Sequence, residues 1–145
     1  MQLIKAPSNE IPRFPSVFLA GGITDCPDWQ SGVATRLHSL SVTVFNPRRD
    51  AFPNDPQKEE EQIRWEFERL RSAKLISFWF DKESLDPITL FELGAALARP
   101  APIVVGIDPE YARKLDLIIQ IKLERPEVVP VDSLDQMVRM ISAFF

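Results

Sequence analysis

The sequence predicts an α/β fold in which helices cover both faces of a five-stranded parallel sheet, a flavodoxin-like three-layer sandwich. Short runs of β-branched and aromatic residues alternate with longer segments of helical period, which is the pattern of a parallel sheet flanked by helices. The chain has 145 residues, of which 45% are hydrophobic and 26% are charged, as in ordinary globular domains. We therefore expect one domain over residues 1–145.

Five short runs have the composition of buried strands, and they cover residues 17–20, 42–45, 75–80, 103–107 and 128–131. The third run is apolar throughout, as expected at the centre of a parallel sheet. Right-handed crossovers between consecutive strands fit the order 2-1-3-4-5, counted along these runs. Before the first run the chain contains Pro7, Pro12 and Pro15, and we expect an ordered lead-in there.

Four segments have a helical period, and they cover residues 29–40, 58–73, 87–98 and 134–144. In the second segment Ile63, Phe67 and Leu70 recur at helical spacing, which predicts that they face the core. Asp86 directly precedes Pro87, the order expected of an N-cap followed by the first residue of a helix.

The ends of the predicted strands indicate where a ligand would bind. In an open parallel sheet the ligand crevice lies beyond the carboxyl ends of the strands. Gly21 and Gly22 follow the first run and permit close approach of the backbone, and Asn46 follows the second. Asp86 lies in the segment after the third run. The topology therefore predicts a small-molecule site at this edge of the sheet.

Composition excludes several kinds of partner. The net charge is −4, which makes a nucleic-acid polymer an unlikely ligand. One cysteine and one histidine leave neither a disulfide nor a histidine-built metal site, and no dinucleotide or phosphate-loop motif is present, so we expect no metal and no cofactor. No run is apolar enough to span a bilayer and no secretory signal opens the chain, so we expect no membrane partner and a cytoplasmic protein.

Glu92 is the strongest candidate for chemistry. It is the only ionisable residue in the apolar segment 87–98, which indicates a helix buried on most sides. A carboxylate in that setting is costly unless it is paired, hydrogen-bonded or facing a cleft. The helical pattern is equally compatible with a solvated glutamate at the rim.

Two further carboxylates accompany Glu92. Glu66 falls about 60° from the centre of the predicted apolar stripe, although a surface pair with Arg69 or Arg71 explains it better when it is taken alone. Asp86 caps a predicted helix but can still present a free oxygen to a ligand. A site dominated by carboxylates, without thiol or imidazole, suits glycosyl transfer, in which one acid attacks a sugar carbon and others manage protons.

Four strings resemble, in the same order, the nucleoside 2-deoxyribosyltransferase-like family, namely VFLAGGIT at 17–24, VFNPRR at 44–49, WE at 65–66 and FELG at 91–94. The resemblance covers roughly the first three quarters of the chain. It implies that Glu92 is the nucleophile that forms a covalent deoxyribosyl ester. It also implies that Asp86 helps to hold and protonate the base.

The resemblance extends to three further positions. Glu66 falls where the family usually has an aspartate that contacts the base, and Phe18 stands at or near a family tyrosine whose hydroxyl orients the nucleophile. That hydroxyl would have to be replaced by a water or another residue. Asp116 lies about where the family supplies a residue to the neighbouring subunit's sugar 5′-hydroxyl, and its charge would repel a 5′-phosphate.

The implied activity is a retaining double displacement in which a purine or pyrimidine base is exchanged on a 2′-deoxyribonucleoside. The implied partners are nucleosides, free nucleobases and further copies of the chain, in a dimer-based oligomer whose sites are completed by a neighbour. Alternatives are a nucleoside or nucleotide N-glycosidase, an NAD-cleaving enzyme on a related site and a non-catalytic nucleotide-sensing module. The sequence does not distinguish transfer from hydrolysis.

Overall fold

The computed structural model describes residues 1–49 and 55–145. Its sheet contains five parallel strands, which are β1 (Gln2–Lys5), β2 (Ser16–Gly21), β3 (Thr43–Asn46), β4 (Leu75–Phe80) and β5 (Ile103–Ile107). Their order across the sheet is β1-β3-β2-β4-β5. The helices are α1 (Trp29–Arg36), α2 (Pro56–Ser72), α3 (Pro87–Leu97), α4 (Lys114–Glu124) and α5 (Leu134–Phe144). None of the helices within the described ranges is long and apolar enough to cross a membrane.

The predicted fold class is confirmed, and strands β3, β2, β4 and β5 lie in the predicted relative order. The fifth strand differs from the prediction. The segment expected to be a lead-in begins with β1, which pairs with β3 from Gln2 opposite Thr43 onward, while its prolines all follow the strand. The predicted strand at 128–131 forms only an isolated bridge between Gly106 and Val131. Val131 accepts from the Ile107 N–H at 2.8 Å and donates to the Val105 carbonyl at 2.9 Å, and no further rung to β5 follows within the described residues.

The side chains of β2 alternate between two cores. Phe18 and Ala20 join the cluster under α2, α3 and α4, whereas Val17 and Leu19 join the cluster under α1 and α5. Each face of the sheet is therefore covered by helices, which explains why β4, an interior strand between β2 and β5, is buried along its whole length. Helix α4 was not predicted from the sequence.

The predicted core stripe of α2 is wrong at two of its three positions. Ile63 is 58% exposed and Phe67 is 54% exposed, whereas Gln62, Trp65 and Leu70 are buried. An open cavity lies between α2 and α3, and Ile63 and Phe67 line it. Apolar residues at helical spacing can therefore face this cavity instead of the core. Helix α2 is held over the sheet by Trp65, whose Nε1 donates to the Ser8 carbonyl at 2.7 Å.

Asp86 occupies the N-cap position of α3, but the expected capping hydrogen bond is absent. Its backbone is left-handed, with φ 49°, a conformation that costs a non-glycine residue about 1 kcal/mol or more. Its side chain turns instead toward Ser84 and Gly22. The helix start is therefore shaped around this carboxyl group.

Candidate active site

A cavity of about 650 Å³ lies between α2 and α3, on the face of the sheet where β2 ends. This volume is in the range of small-molecule sites. Phe18, Ala20 and Gly21 contribute to its lining from β2, and the two helices supply its walls. Both helices descend from the carboxyl edge of the sheet, so equivalent turns of α2 and α3 face each other across the cavity.

Gly21 and Gly22, at the end of β2, lie so close to neighbouring atoms that neither position has room for a side chain. A Cβ on Gly21 would lie 2.6 Å from both Cζ2 of Trp29 and the carbonyl oxygen of Trp79. A Cβ on Gly22 would overlap Oδ1 of Asp86 and lie 2.9 Å from Sγ of Cys26. The two glycines therefore allow the carboxyl group of Asp86 to approach the strand end closely.

Glu92 lies on the α3 wall of the cavity and is only partly accessible to solvent. Within the described residues its carboxyl group accepts no hydrogen bond. Burial, followed by the nearby charge of Glu66, raises the pKa of Glu92 to about 8. A carboxylate that attacks a ligand is expected to lie in a cavity without a hydrogen-bond partner from the protein, and Glu92 matches this expectation.

Glu66 lies on the opposite wall, on α2. Its Oε1 accepts a hydrogen bond of 2.6 Å from Nε2 of Gln62, which also donates to the Pro47 carbonyl at 2.7 Å. Burial raises the pKa of Glu66, and the hydrogen bond from Gln62 opposes that shift. Gln62 is 3% exposed and was not identified from the sequence, although its position four residues before Glu66 places it on the same helix face.

Asp86 closes the cavity at the carboxyl edge of the sheet and is 5% exposed. Its Oδ1 accepts a hydrogen bond from the Ser84 hydroxyl, and the Gly22 backbone also donates to the carboxyl group. Burial nevertheless raises the pKa of Asp86. Its Oδ2 is buried and has no partner among the described residues, so its hydrogen-bonding capacity is unused within the described chain.

Phe18 forms part of the cavity lining and is 1% exposed. Its ring packs on that of Trp65, with centroids 6.1 Å apart. It therefore contributes an apolar surface, and no hydroxyl within residues 1–49 and 55–145 is hydrogen-bonded to Glu92 in its place.

Two residues expected at the site lie outside this cavity. Asn46 is fully buried at the end of β3, where its Oδ1 accepts from the Arg48 backbone N–H at 2.9 Å and its Nδ2 has no partner in the described chain. Asp116 is exposed on α4 and forms an ion pair of 2.8 Å with Arg113. The single chain brings Glu92, Glu66, Asp86, Phe18 and the glycine pair together, but not Asn46 or Asp116.

Arg48 stabilises the loop after β2 and was not singled out from the sequence as a site residue. Its Nη2 donates to the carbonyls of Pro27 at 2.9 Å and Gly22 at 3.4 Å. Gln30 donates to the same Gly22 carbonyl at 2.9 Å. These bonds fix the loop whose Gly22 backbone contacts Asp86.

The fold and the cavity define an α/β protein with a small-molecule site lined by carboxyl groups. A family model described as "Nucleoside 2-deoxyribosyltransferase like" matches residues 14–111, and the chain belongs to this family. The match includes Glu66, Asp86 and Glu92, and Asp116 lies beyond it.

Among solved structures, the chain is similar to one described as a conserved protein from Enterococcus faecalis V583. The two are 16% identical, with a TM-score of 0.68, over 91% of this chain and 99% of the other. At this identity the likeness shows the shared fold. No curated protein matches the sequence.

Proposed function

We propose that this protein is a nucleoside 2′-deoxyribosyltransferase that exchanges bases on 2′-deoxyribonucleosides. The observation that supports this most strongly is Glu92, an unpartnered carboxyl group on the wall of the cavity between α2 and α3. Glu66 and Asp86 line the same cavity, so an acid is available on each side of the nucleophile. The family membership makes a nucleoside the first ligand to test.

In the first step the ionised carboxylate of Glu92 attacks the anomeric carbon, and the N-glycosidic bond breaks. The electron pair of that bond leaves with the base, whose ring nitrogen takes up a proton. In the second step a nitrogen of the incoming base attacks the same carbon, releases the Glu92 carboxylate and loses its proton. Two inversions retain the configuration at the sugar.

Glu66 and Asp86 are proposed to manage these protons. Burial raises the pKa of both groups, so each holds a proton more readily than an ordinary carboxyl group. A protonated Asp86 or Glu66 donates to the leaving base and takes the proton back from the incoming one. The unpartnered Oδ2 of Asp86 is the atom best placed for this exchange.

Hydrolysis is the second candidate, because the cavity mouth is bordered by exposed side chains that do not themselves close it. Ile88 is 66% exposed and Phe91 is 76% exposed on the α3 side, opposite Ile63 and Phe67 on α2. Water that enters through this mouth would resolve the covalent ester and release free sugar. Base exchange therefore requires a cover over the mouth.

A second copy of the chain is the proposed cover. The four exposed apolar residues that border the mouth form a patch that monomeric proteins seldom leave in water. A dimer that buries this patch would exclude water from the cavity and would bring residues of a neighbour, including Asp116 if the family pattern holds, toward the sugar.

The test is to mix deoxyadenosine, deoxythymidine or deoxyinosine with a second free base and to separate the products by chromatography. A new nucleoside supports transfer, and free base with free sugar supports hydrolysis. If neither product forms but the nucleosides bind, the protein is a sensing module. If they do not bind, the proposal is wrong.

A further inference from the structure

Two arginines lie at the end of the cavity opposite Asp86. Arg71 follows Glu66 by five residues on α2, and Arg99 follows Glu92 by seven residues just beyond α3. Because both helices descend from the carboxyl edge, their C-terminal ends lie at the same end of the cavity. Glu92, Ala95 and Arg99 all line it, as expected of residues spaced by three and seven positions on one helix face.

Both guanidinium groups are held against the last turns of their own helices. Nη1 of Arg71 donates to the Phe67 carbonyl at 3.4 Å, and Nε of Arg99 donates to the Ala95 carbonyl at 3.2 Å. In a helix the carbonyl of the residue four positions back lies beside the backbone N–H of the donor residue. These bonds therefore keep the two positive charges at the C-terminal ends of the helices, at the end of the cavity away from Asp86.

The two arginines also retain free donors. A guanidinium has five N–H groups, and each arginine uses one of them in a hydrogen bond within the described chain. Neither forms an ion pair with a carboxylate in residues 1–49 and 55–145. Arg71 stacks over the Phe67 ring at 3.4 Å, a contact that leaves the in-plane N–H groups available.

The helix dipole explains the positions of Arg71 and Arg99 only in part. A cation in the last turn of a helix interacts favourably with the helix dipole. Arg69, in the same turn of α2, has a structural role of its own, because it donates to the carbonyls of Ser8 and Glu10 and packs over Phe45. Arg71 and Arg99 line the cavity instead and have unused donors there.

The geometry points to a phosphate-binding subsite formed by Arg71 and Arg99, and hence to 2′-deoxynucleoside 5′-monophosphates as the preferred substrates. This inference rests on the proposed function, because it assumes that the anomeric carbon lies at Glu92. With the base held near Asp86, the 5′ end of the sugar extends along the cavity toward the two guanidinium groups. Paired arginines suit a phosphate because their donors form bidentate hydrogen bonds to its oxygens.

The sequence favoured unphosphorylated nucleosides because of the charge of Asp116. That argument concerns Asp116 of a neighbouring copy, and the Asp116 carboxylate is paired with Arg113 at 2.8 Å, which offsets its charge. The charges that the described chain places at the sugar end of the cavity are positive.

The experiment compares binding of deoxyadenosine, deoxythymidine and deoxyinosine with that of their 5′-monophosphates, by calorimetry on the Glu92→Gln variant to prevent turnover. We expect the monophosphates to bind at least tenfold more tightly. The double variant Arg71→Gln, Arg99→Gln should abolish that preference and leave nucleoside affinity unchanged. Arg64→Gln is the matched control, because Arg64 lies on α2 outside the cavity and pairs with Glu60. The preference should shrink in 0.5 M salt, since screening weakens exposed charges.

Equal affinity for nucleosides and monophosphates, or a preference that survives the double variant, would overturn the phosphate subsite. Turnover of nucleosides with no monophosphate preference would overturn it while the proposed function stands. Tight binding of monophosphates that depends on both arginines, with no base release by the wild-type protein, would uphold the subsite and reject the proposed catalysis. Failure of every ligand to bind would reject both.

Discussion

The charge of Glu66 on α2 acts across the cavity on Glu92 of α3 and raises its pKa, adding to the larger effect of burial. Glu66 is itself fixed by the hydrogen bond from Gln62, which is anchored on the Pro47 carbonyl. The ionisation of the proposed nucleophile is thus coupled to a carboxyl group on a different helix. With a pKa of about 8, roughly a tenth of Glu92 is ionised at pH 7.

The pH dependence of activity follows from this coupling. If Glu92 must be ionised to attack, kcat/KM has a limb that rises with pH up to about 8. Glu66→Gln removes the negative neighbour, which makes ionisation of Glu92 easier, so the rising limb should move to lower pH. Glu68→Gln, an exposed position on the same helix, is the control. If the rising limb of the kcat/KM profile lies at the same pH in wild type and in Glu66→Gln, the ionisation of Glu92 is not coupled to Glu66 in solution.

Removal of the nucleophile should abolish turnover. Glu92→Ala is expected to lower kcat by at least ~100-fold, because the covalent step has no alternative carboxylate at that position. Glu92→Gln keeps the shape of the side chain and should retain ligand affinity, which calorimetry would measure. If either variant keeps most of the wild-type activity, the covalent mechanism is excluded.

The stability of the wild-type protein should fall as pH rises from about 4.5 to 8. The folded-state pKa of Glu92 is raised above its unfolded value of 4.5, so the folded state binds more protons across this range and loses stability with increasing pH. Glu92→Gln cannot ionise and lacks this loss. We expect its melting temperature, relative to wild type, to be higher at pH 9 than at pH 5 by roughly 10 °C. A difference that does not change with pH would mean that Glu92 titrates normally.

Gly22 should not tolerate a side chain. Gly22→Ala would push its Cβ against the Asp86 carboxyl group and the Cys26 thiol, displacing the proposed proton donor. We expect at least a tenfold loss of kcat/KM, measured in the base-exchange assay. Gly32→Ala is the control, because nothing lies within 4 Å of an added Cβ on that residue of α1. It should leave activity intact and stabilise the helix by about 0.5–1 kcal/mol. Comparable activity in both variants would contradict the role given to the Gly22–Asp86 contact.

The apolar patch at the cavity mouth should mediate self-association. Phe91→Glu places a charge on its most exposed side chain and should shift the protein toward the monomer in sedimentation velocity. Ile11→Glu is the control, because Ile11 is also a highly exposed apolar residue and is distant from Phe91 in the sequence. We expect no shift toward the monomer in this variant. If the wild-type protein sediments as a monomer at micromolar concentration, the proposal that a second copy covers the cavity mouth is wrong.

The sequence alone determined the fold class and four of the five strands, and it singled out Glu92 as a candidate, because these depend on local features. An apolar run such as β4, and a lone carboxylate in an apolar helix, are visible in the order of residues. Strand β1 escaped prediction because a short edge strand next to several prolines has little periodicity of its own. Its place depends on pairing with β3, forty-one residues away in the chain.

The tertiary structure alone decided which polar groups meet at the site. Ile63 and Phe67 have the spacing of core residues, and only the separation of α2 from α3 turns them toward a cavity mouth. The raised pKa of Glu92, the anchoring of Glu66 by Gln62 and the placement of Arg71 beside the cavity all join residues distant in sequence or depend on burial. Desolvation and charge interactions act through space, so the order of residues predicted the chemical groups but not their energetic relations.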